Sequence, residues 1–382
     1  MNINELLKIA TEKRASDLHI KVGNHPVMRI DGVLIPMVEQ KRLTREDLTS
    51  VAFGIMSDSQ KERFKEKNEI DFAYSVSGLG RFRVNAFQQR GTLGVVFRTV
   101  PNKIKTFEEL YLPEVLKRIS LEPRGLILVT GTTGSGKTTT LATMIDYINT
   151  NRTNHIITIE DPIEFLHNDK KSIISQREIG ADTEDFSGAL RSALRQDPDV
   201  ILVGEMRDFE TIQTALVAAE TGHLVLSTLH TIDAAETVNR IIAVFPPYQQ
   251  KQIRLQLASV LKGIISMRLI PKADGIGRVP AIEVLVATAT VKECIIDPDK
   301  TRLIFDVIAA GHSQYGMQTF DQSLMNLYKD GLITYEEALR NSSNPDDFAL
   351  KIKGILSTSD ITWEEKNKEV KKEDIKIDRF GL

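Results

Sequence analysis

Gly131-Thr132-Thr133-Gly134-Ser135-Gly136-Lys137-Thr138 stands directly behind the apolar run Leu126-Ile127-Leu128-Val129-Thr130. The order fits G-x-x-x-x-G-K-[ST] in the strand, loop and helix setting that this pattern needs. Its glycines let successive backbone N–H groups curl around phosphate oxygens. Lys137 is then placed to reach the β- and γ-phosphates and the Thr138 hydroxyl to hold Mg²⁺, with Thr139 beside them at a helix start. Leu141, Met144, Ile145 and Ile148 follow at helical spacing, so the loop feeds a helix whose N-terminal dipole also favours an anion. These residue types in this order imply a nucleoside triphosphate site.

Binding alone does not hydrolyse, because hydrolysis also needs groups that hold the metal and orient water. In Asp199-Val200-Ile201-Leu202-Val203-Gly204-Glu205 an apolar strand ends in an acid, the Walker B arrangement. Gly204 takes the place where many P-loop enzymes carry a metal-linked aspartate. Glu205 therefore stands alone, either to contact Mg²⁺ through water or to polarise the attacking water. A second cluster, Glu160-Asp161-Pro162-Ile163-Glu164, closes another apolar run, where open α/β sheets place their ligands. Glu164 is the candidate general base, with Glu160 in support. His230, in Ser227-Thr228-Leu229-His230-Thr231 just past a further core strand, is placed to sense a γ-phosphate. His223, at the start of that strand, reads as structural.

Arginines supplied from a second subunit accelerate phosphoryl transfer by about 10³ to 10⁵. Arg81 and Arg83, two apart, share one face of a strand, and Arg98 lies on the next strand. These three are the candidates for a phosphate-facing role, set against the plainer reading of a polar sheet face. Arg191 and Arg195, at i and i+4 on a helix, read as solvated.

The elements that must position these groups change character along the chain. Residues 1–100 show short alternating strands with helices between them, an α+β pattern, with hairpin signals at Asp31-Gly32, Ser77-Gly78-Leu79-Gly80 and Arg90-Gly91. Residues 101–124, punctuated by prolines, read as a linker with one short helix of modest apolar face. From Gly125 the rhythm becomes that of buried strands, Leu126–Thr130, Ile156–Glu160, Val200–Val203 and His223–Thr228, alternating with amphipathic helices, a mainly parallel α/β core. Beyond Gln249 the expectation is mostly helix, with a capping signature at Thr334-x-x-Glu337 behind Gly331. From Thr358 to Leu382 a dense run of Lys, Glu and Asp with a lone Trp363 reads as a disordered or loosely attached tail.

With 382 residues, 41% hydrophobic and 26% charged, the chain is large enough for two or three domains, and a net charge of −3 gives it no global nucleic-acid signature. The single cysteine, Cys294, excludes an internal disulfide and a cysteine-cluster zinc site and fits a reducing compartment. The N-terminus lacks the apolar core of a signal peptide and no stretch approaches the length of a membrane span, so the expectation is a cytoplasmic protein with no direct membrane insertion.

Ala15-Ser16-Asp17-Leu18-His19, the loop from Gly131 to Thr138, Ile159-Glu160-Asp161-Pro162-Ile163-Glu164, Arg195-Gln196-Asp197-Pro198-Asp199 running into Gly204-Glu205-Met206-Arg207-Asp208, and Thr228-Leu229-His230-Thr231 together resemble the secretion ATPase superfamily. Within it they are most similar to the type IV pilus retraction ATPases, over residues 1 to about 355. The resemblance implies a PAS-like N-terminal domain over 1–100 and, after the linker, a RecA-like P-loop domain with C-terminal helices over 125–357. It implies a ring homohexamer with ATP and Mg²⁺ between subunits. In its terms the P-loop is the Walker A, Glu160 to Glu164 the Asp box, Glu205 the Walker B glutamate and His230 part of the His box. The family's use of N-domain arginines near the γ-phosphate supports Arg81, Arg83 and Arg98.

The implied work is pilin disassembly through an inner-membrane, PilC-like pilus platform protein, from a peripheral position at the pilus base. A paralogous retraction ATPase is a second candidate partner. The rival readings are a pilus extension or type II secretion motor and a low-activity accessory nucleotide-binding subunit. One departure is local: retraction ATPases commonly carry an A-I-R-N-L-I-R-like segment, whereas this chain reads Ala289-Thr290-Val291-Lys292-Glu293-Cys294-Ile295-Ile296.

Overall fold

The computed structural model describes residues 2–101 and 103–352, so the charged stretch from Thr358 with Trp363 lies outside the described residues. The N-terminal part runs α1 (Ile3–Glu12), β1 (Asp17–Lys21), β2 (Val27–Ile30), β3 (Val33–Pro36), α2 (Arg45–Ile55), α3 (Asp58–Lys67), β4 (Glu69–Val76), β5 (Gly80–Gln89) and β6 (Thr92–Thr99). The strands form one antiparallel sheet in the order β3-β2-β1-β6-β5-β4. Its two tightest hairpins turn at Asp31-Gly32 and Arg90-Gly91, with φ of 48° and 83° and of 48° and 71°. That is the left-handed pair that matches strand twist and fixes register.

Alternation sends Leu18, Ile20, Phe82, Val84, Ala86, Val95 and Phe97 beneath the helices into one core. The same alternation leaves Asp17, Arg83 and Arg98 on the opposite face, where Arg98 stands directly across from both Asp17 and Arg83 in the neighbouring strands.

The second part runs α4 (Val115–Ser120), β7 (Gly125–Thr130), α5 (Lys137–Asn151), β8 (His155–Glu160), β9 (Ile173–Glu178), α6 (Phe186–Ala193), β10 (Val200–Val203), α7 (Phe209–Glu220), β11 (Leu224–Leu229), α8 (Ala234–Ala243), α9 (Pro247–Val260), β12 (Leu261–Pro271) and β13 (Arg278–Val286). After α10 (Ala289–Ile296) and a 3₁₀ turn (Pro298–Leu303) come α11 (Ile304–Ala310), α12 (His312–Tyr315), α13 (Phe320–Lys329), α14 (Tyr335–Asn341) and α15 (Pro345–Ile352). Seven strands pair in the order β13-β12-β7-β11-β10-β8-β9, parallel except for β13 against β12.

Both faces of the sheet are covered over β7, β8, β10 and β11, which is why these strands are largely apolar. Leu126 and Leu128 of β7 pack into the core formed with α6 to α9, while Ile127 and Val129 of the same strand face Leu116 of α4 and Met144 and Ile145 of α5. Phe107 and Leu112 join that second layer, so the segment ahead of α4 is packed against the sheet. Among the described residues no helix is long and apolar enough to cross a membrane.

Three strands depart from the sequence reading. The mostly helical expectation after Gln249 is interrupted by β12 and β13, which extend the sheet beyond β7. Ile253, Leu257, Val260 and Ile264 keep helical spacing straight across the junction, and α9 passes into β12 with no glycine or proline between them. Pairing with β7 overrides the local pattern there. The third, β9, is a half-exposed edge strand too polar to stand out.

Beyond β13 the helices follow their signals: Thr334 caps α14 by accepting the Glu337 N–H, behind Gly331 at φ 68°. The segment Ala289–Ile296 is α10, capped by Thr288, with Val291, Cys294 and Ile295 turned into the core.

Candidate nucleotide site

The loop after β7 is shaped by its glycines, with φ of 140° at Gly131, 77° at Gly134 and 99° at Gly136. A Cβ at Gly131 would lie 2.5 Å from the Met267 carbonyl oxygen and 2.6 Å from Ser135 Oγ, so no other residue fits that turn. Lys137 is buried, and its Nζ donates to the carbonyls of Gly131 (2.8 Å) and Thr132 (3.1 Å). Burial holds its pKa below the usual lysine range, against the opposing charges of Glu205 and Glu164. Both acids therefore act on the ammonium. Ser135 Oγ is buried without a hydrogen-bond partner among the described residues, while Thr132, Thr133 and Gly134 are exposed and Thr138 and Thr139 half-buried. An unpaired hydroxyl beside a buried ammonium is a donor set that fits phosphate oxygens.

Glu205 follows β10, and its backbone is pinned from both sides. Gly204 N–H donates to the Ile159 carbonyl of β8 (2.8 Å), and Thr228 Oγ1 of β11 donates to the Gly204 carbonyl (2.7 Å). Arg207 Nη2 lies 2.7 Å from Glu205 Oε2, and His230 Nε2 lies 3.3 Å from Oε1. Burial pushes the Glu205 carboxyl up, but the Arg207 hydrogen bond and the charges of His230 and Arg207 outweigh it and hold the group below the ordinary glutamate value. Glu205 is an ionised acid between two nitrogen bases. The sequence presented Glu205 and His230 as separate signals and offered Arg207 only as part of a motif. The pairing of Val203 with Ser227 in neighbouring strands is what brings the three together.

Glu160 closes β8 and is different in kind. It is buried, its Oε1 accepts from Thr158 Oγ1 (2.7 Å) and Gln176 Nε2 (3.0 Å), and burial raises its pKa against those hydrogen bonds. Glu164, four residues on and past a cis Asp161-Pro162 peptide, is exposed. Of the three acids in this cluster, Asp161 and Glu164 are open to solvent and Glu160 is not.

A cavity of about 480 Å³ adjoins Gly136, walled by Tyr111 and Leu112 from the segment ahead of α4, Thr139 and Thr140 of α5, Met267 and Leu269 of β12, and Pro280 of β13. Apolar walls with the charged groups of Lys105, Glu109 and Arg278 at hand suit a base and its ribose. Three distant segments build this cavity, and no local pattern could have announced it.

Among the described residues no cluster of three or more His, Cys, Asp or Glu could cage a metal. Mg²⁺ takes one or two protein oxygens with water and substrate phosphate, and Thr138 and Glu205 are the residues the sequence offered for it.

The three N-terminal arginines have partners within their own chain. Arg81 Nη2 binds Glu178 Oε2 of β9 at 3.0 Å, Arg98 Nε binds Asp17 at 2.9 Å, and Arg83 rests 4.0 Å from Asp71. The side chains of Arg98 and Arg83 remain 68% and 48% exposed, against 19% for Arg81. Arg191 of α6 pairs with Glu210 of α7, whereas Arg195 lies in the turn beyond the end of α6 and not on the helix as expected, donating to the Arg191 carbonyl; both are on the surface. His223 Nδ1 lies 2.9 Å from the Ala218 carbonyl, a contact that anchors the start of β11.

Comparison with known proteins bears on what this edge does. Residues 1–334 match the family model described as type II/IV secretion system protein. The chain is 49% identical over 352 residues to the type IV pilus retraction ATPase PilT of Pseudomonas aeruginosa, covering 91% of this chain and 100% of that one. It is 44% identical over 353 residues to the type IV pilus ATPase PilU of the same organism, covering 92% of each. The crystal structure of the pilus retraction motor PilT with bound ADP superposes with a TM-score of 0.82 at 47% identity, over 91% of this chain and 98% of that one.

Proposed function

The chain belongs to the type II/IV secretion system protein family, and from that premise we propose that it is an Mg²⁺-dependent ATPase that drives type IV pilus retraction. The observation that carries the hydrolytic reading is convergence at one sheet edge. The P-loop, His230, Glu205 and the Glu160–Glu164 loop follow four adjacent parallel strands, β7, β11, β10 and β8. Open α/β sheets bind ligands there.

In this reading the base of ATP occupies the cavity beside Gly136 and its phosphates lie over residues 131–138, where Lys137 and Ser135 turn to them. Thr138 and, directly or through water, Glu205 would hold Mg²⁺, which would supply positive charge to the phosphates. Glu205, fixed by Arg207 and His230, orients the attacking water, and His230 stands at the γ-phosphate end. Glu164 takes the proton of that water as its oxygen bonds to the γ-phosphorus and the bond to the β-phosphate oxygen breaks, giving ADP and inorganic phosphate. Glu160 supports the loop from beneath.

Arg83 and Arg98, exposed, reach the γ-phosphate of a neighbouring subunit in a homohexamer, and Arg81 joins them when it leaves Glu178. Turnover moves the N-terminal domain, residues 1–100, against the P-loop domain about the 101–124 linker. The motion is passed to an inner-membrane pilus platform protein from the cytoplasmic side, with a paralogous retraction ATPase as a further partner.

Counting surface pili and following their shortening in cells that lack this chain tests the reading. More pili that no longer shorten are expected. Loss of pili would make it an extension motor, and unchanged pili would overturn a role in retraction.

A further inference from the structure

Residues 161–172, between β8 and β9, contain no helix or strand, yet they carry Glu164. Side chains of β9 hold the stretch around that acid. Gln176 Nε2 donates to Glu160 Oε1 (3.0 Å) and to the Phe165 carbonyl (2.9 Å), while Gln176 Oε1 accepts the His167 N–H (2.9 Å). Two residues on, and so on the same face of the strand, Glu178 Oε2 accepts the Ile163 N–H at 3.1 Å. The backbone is therefore gripped one residue before Glu164 and again one and three residues after it.

We infer that Gln176 is a positioning residue for the hydrolytic step, fixing the Glu164 loop against the buried Glu160 through the only side-chain type of its length that donates to two acceptors and accepts from an N–H. The inference rests on the reading of Glu164 as the proton acceptor. A carboxylate at this position keeps the shape and the acceptor but loses both donations, and it faces Glu160 and a carbonyl oxygen with like charge. A leucine removes the hydrogen bonds of the Phe165 carbonyl and the His167 N–H and leaves Glu160 Oε1 with Thr158 alone. Neither change touches the P-loop or the cavity beside it, since Gln176 lines neither. A general base must lie within hydrogen-bond reach of the proton it takes, and a displacement of about 1 Å costs up to 10²-fold in rate. Loss of Gln176 should thus appear in kcat and not in nucleotide affinity.

The test is phosphate release by the full chain, with binding of fluorescently labelled ADP in parallel, for Gln176→Glu, Gln176→Leu, Glu164→Gln and the double variant Gln176→Leu with Glu164→Gln. At pH 8 we expect Gln176→Glu to lose at least about tenfold in kcat, with labelled-ADP affinity and KM within about twofold of the parent. At pH 6 it should regain several-fold, as one of the two facing carboxyls takes a proton and donates again. Adding Gln176→Leu to Glu164→Gln should cost nothing further, because both act through one group. An unchanged kcat for Gln176→Glu at pH 8, or an equal loss of ADP affinity, would overturn the inference while an inactive Glu164→Gln left the base reading standing. Near-normal turnover by Glu164→Gln would overturn the base reading, and the inference with it.

Discussion

At the end of β8, Glu160 is sealed from water, accepts two neutral hydrogen bonds and has its pKa raised; at the end of β10, Glu205 lies between Arg207 and His230 and has its pKa lowered. The two strands are hydrogen-bonded neighbours, with Val203 paired to Ile159, yet the Glu160 side chain is buried and that of Glu205 only partly so. The difference comes first from burial, which raises the Glu160 pKa, and then from the partners: hydroxyl and amide for one acid, guanidinium and imidazole for the other. The first surroundings raise the pKa of an acid whose oxygen props a loop; the second lower the pKa of an acid and suit it to act on a ligand.

The comparison breaks most visibly at Lys137, whose ammonium feels Glu205 from one strand end and Glu164 from the other. Lys137→Ala should lower the affinity for labelled ADP by about 10²-fold or more, since a buried charge-assisted contact to phosphate is lost. If ADP bound as before, the two strand ends would not share a phosphate site.

Glu283 on β13 sharpens the comparison with a smaller effect. It is buried like Glu160, and burial together with the charge of Asp233 pushes its carboxyl up to about 7, against the Ala234 N–H at 2.8 Å and the Ser266 hydroxyl. The unfolded chain releases this proton near 4.5 and the folded protein only near 7, so the folded state binds the proton more tightly. The stability it contributes is therefore full below about pH 4.5 and is lost as pH rises through about 7, a difference on the order of 3 kcal/mol. Glu283→Gln keeps the acceptor for Ala234 and removes the titration. Thermal melting should show the variant more stable than the parent by a few degrees at pH 8 and nearly equal to it at pH 5. A constant difference across that range would mean that burial does not raise the Glu283 carboxyl.

Much of this site was legible because its signals are local. The P-loop is eight consecutive residues, and Glu205 and His230 each terminate a run that only a covered strand explains. What joins them was not legible. The contact of His230 with Glu205 depends on β10 lying beside β11, and the support of Glu164 depends on β9, whose Ile173-Ile174-Ser175-Gln176-Arg177-Glu178 has too little apolar character to announce a strand. The cavity beside Gly136 required β12 and β13, and their start was hidden by a helical period that runs on from α9. For the arginines, spacing gave Arg81 and Arg83 a shared face of one strand but could not place Arg98 across from Arg83, nor give the partner of Arg81, which lies 97 residues away on another sheet.

The contrast between the two strand ends is tested most directly by phosphate release from Glu205→Gln and Glu160→Gln, measured side by side at pH 8 with labelled-ADP binding as the control. Glu205→Gln should bind nucleotide normally and lose about 10²-fold or more in kcat. Glu160→Gln, which keeps an oxygen to accept from Thr158 and Gln176, should stay within about threefold of the parent. Equal losses in the two variants, or a larger loss at Glu160, would contradict the division of labour between a propping acid and a working one.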